Sequence, residues 1–583
     1  MRVDFKAAIA AEISKAVSAK NPDAAAQENW AGFLETPPNP EMGDIAFPCF
    51  RLAKIFKKSP AQIAQELLGS LENAPLPFLS KAVPAGGYLN FYLDRSAYVE
   101  QALKPIAEQK EKYGSSRAGA EKIITIDYSS PNIAKHFHVG HLGTTMIGHA
   151  LVNILRFLGY TVIGINYLGD WGTQFGKLIT AYQKWGDKNE IERTGIDALV
   201  ELYIRFHQEA EKDKSLEEEA RAWLVRMQNG EEEALALWRR FGEISMTEYQ
   251  RVYQRLGITF ESYRGESYYN DKLDSVVQEL KEKNLLTESQ GAMIVDLSEH
   301  QMPPCLILRS DGGSLYPTRD IAAALDRKNT YRFTKSLYVT GMDQCLHFAQ
   351  WMKVIELMGY DWAKDMVHIP YGMVVFEGGK VSTRNGHVIK MEDLLNEAAA
   401  KTLDIIEKKN PGLERKESVA EQVGLGAVIF NQLFNSRMKD VLFSWERILN
   451  FEGETGPYVQ YTHARACSVL EKARQASLAE ADWEPIWDQI VWSVLTDEHS
   501  YETIKILERF PDAIAEAADK YEPFLISRYL IALSQAFNKL YHYNPILTAS
   551  PEEKAGRLAL VFCVKTVLAA GLALLGIAAP EKM

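Results

Sequence analysis

Two hydrophobic periods alternate along the middle of the chain. Short apolar runs at 123–127, 161–167, 336–340 and 367–376 read as strands. The segments between them place apolar residues three and four apart, as in Leu142, Met146, Ile147, Leu151, Ile154, Leu155 and Leu158, and read as helices. Strands alternating with helices predict a doubly wound parallel sheet. Ligands of such sheets sit beyond the carboxyl ends of the strands, near the switch in strand order. Between about 184 and 257 the pattern turns charged and helical. Its acidic runs, Glu217-Glu-Glu219 and Glu231-Glu-Glu233, read as solvated faces of a helical insertion and are assigned no chemistry.

The ends of the chain read differently. Phe5, Ile9, Ile13 and Val17 fall at helical spacing, and Pro37-Pro-Asn-Pro40 breaks the chain. Leu52-Ala-Lys-Ile-Phe-Lys-Lys58 reads as helix, and Ser59-Pro60 starts another through Leu71 with a capping serine and proline at the first helical position. Tyr88-Leu-Asn-Phe-Tyr-Leu93 reads as a closing strand. Beyond 396 nearly everything is helical. The expected fold is α/β multidomain: a small α+β N-terminal domain (1–114), a Rossmann-like doubly wound parallel catalytic sheet (115–395) with a helical insertion (184–257), and an all-α C-terminal bundle (396–583). The most apolar stretch, 558–579, is broken by Lys565 and reads as a buried terminal helix rather than a membrane span. The N-terminus carries an early acid and no uninterrupted apolar segment, so it does not read as a signal peptide.

Composition narrows the partners. At 583 residues there is room for several domains and a large core. The net charge of −12 gives no global basic footprint for nucleic acid, although a local basic face remains possible. Arg51, Lys54, Lys57 and Lys58 form either such a face or a merely solvated one. The five cysteines are scattered and form no Cys-x-x-Cys, which argues against a disulfide framework and a zinc site and fits a reducing cytoplasm.

The candidate chemistry centres on Ser129-Ser-Pro-Asn-Ile-Ala-Lys-His-Phe-His-Val-Gly-His141, between a predicted strand and a predicted helix. Orphan N–H groups and the positive end of the helix dipole make that place an anion site. His138 and His141 flank Gly140. Imidazole nitrogens donate to phosphate oxygens, and a glycine lets a base or ribose approach the backbone. Alone, His-x-Gly-His is equally compatible with helix-start residues that have no role. A second stretch, Gly379-Lys-Val-Ser-Thr-Arg-Asn-Gly386, follows the β-type run Met373-Val-Val-Phe376 and is loop-like. Together the two resemble the "HIGH" signature and the "KMSK" loop of class I aminoacyl-tRNA synthetases.

In that class the amino acid's carboxylate attacks the α-phosphate of ATP, so the protein positions groups and stabilises charge. The resemblance assigns His138, Gly140 and His141 to ATP, and Lys380 and Ser382 to the pyrophosphate side. The usual second lysine of the loop is replaced by Thr383. Lys135, just before the first signature, is expected to supply that charge; Arg384, beside the gap, is the rival.

Further motifs resemble those of arginyl-tRNA synthetases within the class. A guanidinium needs carboxylates in a bidentate arrangement. Asn132, Glu266, Tyr316, Asp320 and Gln344 match positions that bind arginine in the family. Tyr316 and Asp320, one helical turn apart, are expected to hold the guanidinium; Asn132, Glu266 and Gln344 would orient the substrate and its amino group. Asn166-Tyr-Leu-Gly-Asp-Trp-Gly-Thr-Gln-Phe-Gly176 resembles another family signature, and puts Asp170 and Gln174 near the substrate, or forms only a glycine-shaped turn. A buried acidic site left unpaired by a wrong substrate rejects it by roughly 10⁴-fold or more. In Gly453-Glu-Thr-Gly-Pro-Tyr-Val-Gln-Tyr-Thr-His-Ala-Arg465, the residues Tyr458, Gln460 and Arg465 either stack on tRNA bases or pack the bundle.

The resemblance covers nearly the whole chain, to its Gly-Ile-Ala-Ala-Pro-Glu-Lys-Met583 ending. It implies an arginine–tRNA ligase using ATP with Mg²⁺ and no zinc, acting on L-arginine and tRNA(Arg). It also implies a cytoplasmic monomer off the membrane, whose activation step waits for tRNA. The competing readings are a tRNA-independent adenylyltransferase, for which the long helical half is unneeded, and a non-catalytic RNA-binding paralogue, in which the site residues would be superfluous.

Overall fold

The computed structural model describes residues 5–19, 30–71, 76–310, 313, 315–376, 389–477 and 484–583. They group into two compact units. One comprises 1–113, 462–511 and 532–570; the other comprises 114–461, 512–531 and 571–583.

In the first unit, Ile45–Pro48, Tyr88–Leu93 and Leu79–Ala85 form an antiparallel sheet in that spatial order. The helices Phe5–Ser18 and Pro60–Leu71 belong to the same unit and bury Ile9, Ile13, Val17, Ile63 and Leu67. Ser59 and Gln62 cap the second helix reciprocally: the Gln62 N–H donates to Ser59 Oγ (3.4 Å) and the Ser59 N–H to Gln62 Oε1 (3.2 Å). Two of this sheet's strands were not predicted, because Ile45–Pro48 is very short and Leu79–Ala85 is mostly half-exposed. The helix Pro551–Leu574 is long and apolar enough to cross a membrane, but 67% of its most apolar window is buried inside the fold.

The second unit is built on a four-stranded parallel sheet, ordered Met366–Tyr371, Lys335–Gly341, Ile123–Asp127, Thr161–Ile165. The chain runs outward from Ile123–Asp127 to one side and later returns to the other. The switch in order therefore lies between Ile123–Asp127 and Lys335–Gly341. Thr125 and Ser336 join these strands through a buried hydroxyl pair at 2.8 Å. The helix Leu142–Phe157 is buried on nearly every side. Its close packing needs glycine twice: a Cβ on Gly143 or Gly148 would lie 2.5 or 2.3 Å from the ring of Tyr371 or Tyr128.

Three features depart from the expected alternation. The run 367–376 is two strands, because the chain leaves the sheet at Gly372 and Val374–Phe376 pairs in parallel with Val441–Phe443. At Gly372 a Cβ would lie 2.6 Å from the Lys439 backbone. An antiparallel sheet of Leu286–Ser289, Ala292–Val295 and Cys305–Leu308 was not predicted either. It packs with the helices Tyr316–Tyr331 and Cys345–Leu357 around Trp351. Finally, the expected boundary at 395/396 falls inside the helix Met391–Lys409, which lies with the helix Lys416–Leu433 in the same compact unit as the parallel sheet.

Candidate functional site

The loop between Asp127 and His141 leaves the central strand at the switch point. Ser129, Ser130 and Ala134 take positive φ there (71°, 39° and 60°). One face of the insertion helix Glu232–Arg255 holds that backbone in place. Tyr249 donates from its hydroxyl to the carbonyls of Asn132 and Lys135, both at 2.7 Å. The Ala134 and Phe137 amides donate to Ser245 Oγ (3.0 Å) and Glu248 Oε1 (3.1 Å). Tyr253 meets Ser129 Oγ at 2.8 Å. All four supports are buried. Sequence reasoning missed them, although polar residues at 245, 248, 249 and 253 repeat on one helical face.

The two histidines cap the helix start on each other. Gly140 N–H donates to His138 Nδ1 (3.0 Å), and His138 N–H donates to His141 Nδ1 (3.2 Å). An Nδ1 that accepts is unprotonated, so the neutral His138 ring carries its proton on Nε2; His141 Nδ1 lies 3.2 Å from both the N–H and the carbonyl of His138, and its tautomer follows whichever of the two it pairs with. Burial lowers both imidazoles below their ordinary range, His141 to about 3, and the Lys135 charge acts in the same direction on each. Each ring is thus a neutral donor at physiological pH. A Cβ on Gly140 would lie 2.7 Å from His138 Cε1, which explains the glycine between them. Lys135 itself is exposed.

Lys380, Ser382 and Arg384 lie outside the described residues, as does all of 377–388. The chain that emerges from this segment is tied to the histidine loop. Val139 N–H donates to the Ile389 carbonyl (3.0 Å), and Met391 N–H donates to the Phe137 carbonyl (2.8 Å). Lys390 Nζ reaches Asp197 at 2.5 Å, and His136 Nε2 lies 3.3 Å from the same carboxylate.

The expected arginine-binding residues come from four segments of the same unit. Asn132 bridges Gly169 in a parallel register, and its side-chain oxygen lies where a Cβ on Gly169 would be, only 1.8 Å away. Glu266 donates its N–H to the Leu168 carbonyl (3.0 Å), and its carboxylate lies 3.6 Å from Arg319. Burial raises the Glu266 carboxyl to about 7; Arg319 opposes this shift, and Asp320 and Asp170 add to it. Tyr316 opens the helix Tyr316–Tyr331 and is 65% exposed, with Asp320 one turn on. Asp320 Oδ2 is held by His347 Nε2 at 2.5 Å. Gln344 is exposed, just beyond the carboxyl end of the strand Lys335–Gly341. Tyr167 adds a buried phenolic oxygen with no hydrogen-bond partner among the described residues, its phenol pushed far above its ordinary range by burial and by the charges of Asp320 and Glu266.

Two of the expected contact residues have partners inside the fold. The Asp170 carboxylate is committed to Ser267, accepting from its N–H (2.8 Å) and hydroxyl (2.6 Å). It sits against Gly265, where a Cβ would come within 2.6 Å. It therefore shapes the Gly-Glu-Ser turn. Gln460, expected to contact tRNA, is 0% exposed; its amide donates to the carbonyls of Gln422 (3.2 Å) and Ala578 (2.8 Å). Gln174 is half-buried on the first turn of Thr173–Trp185. Tyr458 is half-buried near the start of Gly456–Ser477. Arg465 hydrogen-bonds Asn538 and lies 5.2 Å from the ring of Tyr541, which is 43% exposed.

The same unit thus holds two neutral imidazoles at a helix start and the partly buried acids Glu266 and Asp320. Comparisons with known proteins bear on the family of the chain. Residues 102–445 match the family described as tRNA synthetases class I (R), catalytic domain; 4–93 match the arginyl tRNA synthetase N-terminal domain, and 459–583 the DALR anticodon binding domain. An arginine–tRNA ligase of Alkaliphilus metalliredigens is 53% identical over 557 residues, covering 96% of each chain. One of Halothermothrix orenii is 51% identical over 581 residues, covering 100% of each. Among solved structures, a Thermus thermophilus arginyl-tRNA synthetase superposes with TM-score 0.80 at 28% identity, covering 98% of this chain and 100% of that one.

Proposed function

The chain belongs to the arginyl-tRNA synthetase family of class I, and from that premise we propose how its residues divide the reaction. The reaction itself is that of an arginine–tRNA ligase. Arginine is activated with ATP to arginyl-adenylate and transferred to the 3′ end of tRNA(Arg), releasing AMP and pyrophosphate.

In this reading, the ring N–H groups of His138 and His141 donate to phosphate oxygens of ATP over Gly140. Neutral donors suit the role, because they stabilise negative charge as it develops and need no proton uptake to bind. Lys380 and Ser382 face the pyrophosphate, and Lys135 supplies the charge that Thr383 leaves out. Mg²⁺ would arrive on the nucleotide's own phosphates. Asp320 and Tyr316 hold the guanidinium. Glu266, Asn132 and Gln344 take the amino group and set the orientation. Asp170 and Gln174 shape the surrounding turn. Residues 1–114 and the helices after 395, with Tyr458 and Arg465 among their candidates, would carry tRNA. The protein would act in the cytoplasm as a monomer.

The observation that carries this reading is the backbone tie between 137–139 and 389–391, which brings the exit of the Lys380 segment to the histidines. Arginine-dependent ATP–pyrophosphate exchange in the presence of tRNA tests it. Lys135→Ala and His141→Asn are each expected to lower exchange by about 10²–10³-fold. Near-normal exchange in Lys135→Ala would move the missing charge to Arg384, and near-normal exchange in His141→Asn would remove that imidazole from the phosphate site.

A further inference from the structure

The sequence reading passed over His347. It lies on the first turn of Cys345–Leu357, one turn after Gln344, and its Nε2 meets Asp320 Oδ2 at 2.5 Å. Both side chains are mostly buried, His347 at 25% and Asp320 at 19% exposure. Behind the imidazole stands a packed stack. His347 meets Phe348 edge-on at 5.6 Å and 90°, and Phe348 stacks on His368 at 4.4 Å and 4°. His368 Nε2 is hydrogen-bonded to Thr340 Oγ1 (2.8 Å) on the strand Lys335–Gly341. The ring that holds Asp320 is thereby fixed to the central sheet.

An aspartate with nothing holding its carboxylate samples several rotamers, and each one points its oxygens differently. A guanidinium gains from a carboxylate only when both planes are aligned for two parallel hydrogen bonds. The geometry points to His347 as a positioning residue for arginine recognition. It clamps Oδ2 so that Oδ1 and the remaining lone pair of Oδ2 face the substrate in one orientation. This inference rests on the reading of Asp320 as the guanidinium acceptor. His347 touches the carboxylate and is assigned no contact with the reacting atoms.

The test is aminoacylation kinetics with tRNA present, varying arginine and ATP separately, for His347→Ala, His347→Gln, His347→Asn, Asp320→Asn and the double variant His347→Ala/Asp320→Asn. A glutamine amide reaches about as far as a histidine Nε2, whereas an asparagine amide stops at the position of Nδ1. The expected result is a rise of about tenfold in the KM for arginine in His347→Ala and His347→Asn, equivalent to one hydrogen bond to a charged group. KM for ATP should stay as in the wild type, and His347→Gln should recover most of the loss. Asp320→Asn should raise the KM for arginine further, and adding His347→Ala to it should change nothing more, because the two act through one contact. A wild-type KM for arginine in His347→Ala, equal losses in the Gln and Asn variants, or additive losses in the double variant would overturn the inference. A wild-type KM in Asp320→Asn would instead sink the parent reading of Asp320, whatever His347 does.

Discussion

Val139 donates its N–H to the carbonyl of Ile389 at 3.0 Å, and Met391 returns the contact by donating to Phe137 at 2.8 Å. The histidine loop and the chain that leaves the Lys380 segment are thus joined like two short strands. Met391 is the first residue of its helix, where proline is tolerated, and Lys390 before it already has φ −66° and ψ 145°, which suits a residue preceding proline. Met391→Pro therefore deletes one tie while leaving the helix intact. The Met391 side chain is fully buried, so Met391→Ala is needed to isolate the packing loss. Both variants are expected to melt earlier. Only the proline is expected to lower the kcat of arginine activation, by about tenfold, or 1.4 kcal/mol of barrier. Equal kcat in the two variants would mean that the tie does not position the loop.

In the arginine site proposed above, Glu266 brings a dependence on pH. Its carboxyl is raised to about 7 by burial, so in the free protein it is largely neutral below pH 7 and ionised above. The substrate's cation needs the ionised form. The pH profile of kcat/KM for arginine should therefore rise through an apparent pKa near 7, because that ratio reports the free enzyme. The profile of kcat should show the limb at lower pH, since bound arginine favours the carboxylate. Folding runs the other way. Between the unfolded value of 4.5 and about 7 the native state holds the extra proton, so this group's contribution to stability falls as pH rises across that window. In Glu266→Gln the acid limb should disappear. A limb that persists there belongs to another group.

His141 and His149 set the acid edge of stability. Burial lowers them to about 3 and about 4. The unfolded chain takes up these protons from about pH 6.5 downward, while the folded protein does not until its own lower values are reached. Their stabilising contribution is therefore complete above pH 6.5 and is lost as pH falls toward 4. At pH 5 the loss is on the order of 2 kcal/mol for each. Thermal melts at pH 7 and pH 5 should show the drop, and His149→Gln should reduce it. Equal melting temperatures at the two pH values would contradict the assignment.

Gly169 leaves room for Asn132. A Cβ there would lie 1.8 Å from Asn132 Oδ1, so Gly169→Ala must displace the amide from its place between the histidine loop and the Gly-Asp-Trp-Gly turn. The expected result is a raised KM for arginine with a smaller change in KM for ATP, measured in aminoacylation. A variant that loses ATP affinity in equal measure would show that the substitution disturbs the whole loop.

What could be read in the sequence was what short-range chemistry specifies. Four parallel strands and the helix start near His138 announce themselves by local pattern and spacing, whereas the acids at 266 and 320 stand out only through the family resemblance. What could not be read depends on contacts far along the chain. Ser245, Glu248, Tyr249 and Tyr253 look like ordinary positions in a charged helix until the loop at 129–137 is laid against them. His347 is a lone histidine in sequence and a clamp only beside Asp320. Gln460 erred the other way: a polar residue in a dense motif suggested a ligand contact, and the fold commits it to two backbone carbonyls instead.

Gln460 gives the sharpest contrast between a tRNA contact and a structural brace. Its amide fastens the start of Gly456–Ser477 to the Gln422 carbonyl of the preceding long helix and to Ala578 near the chain's end. The approach is close enough that a Cβ on Gly426 would lie 2.7 Å from Gln460 Nε2. Truncation in Gln460→Ala removes the donor from two carbonyls. A buried group left unpaired costs about 1–3 kcal/mol. The expected outcome is a lower melting temperature, with KM for tRNA within about twofold of wild type at a temperature where the variant stays folded, since surface contacts elsewhere would be untouched. A residue that contacts RNA would behave in the opposite way, raising KM for tRNA and sparing the melt. Tyr458→Ala, two positions earlier and half-exposed, supplies that comparison on the same helix turn.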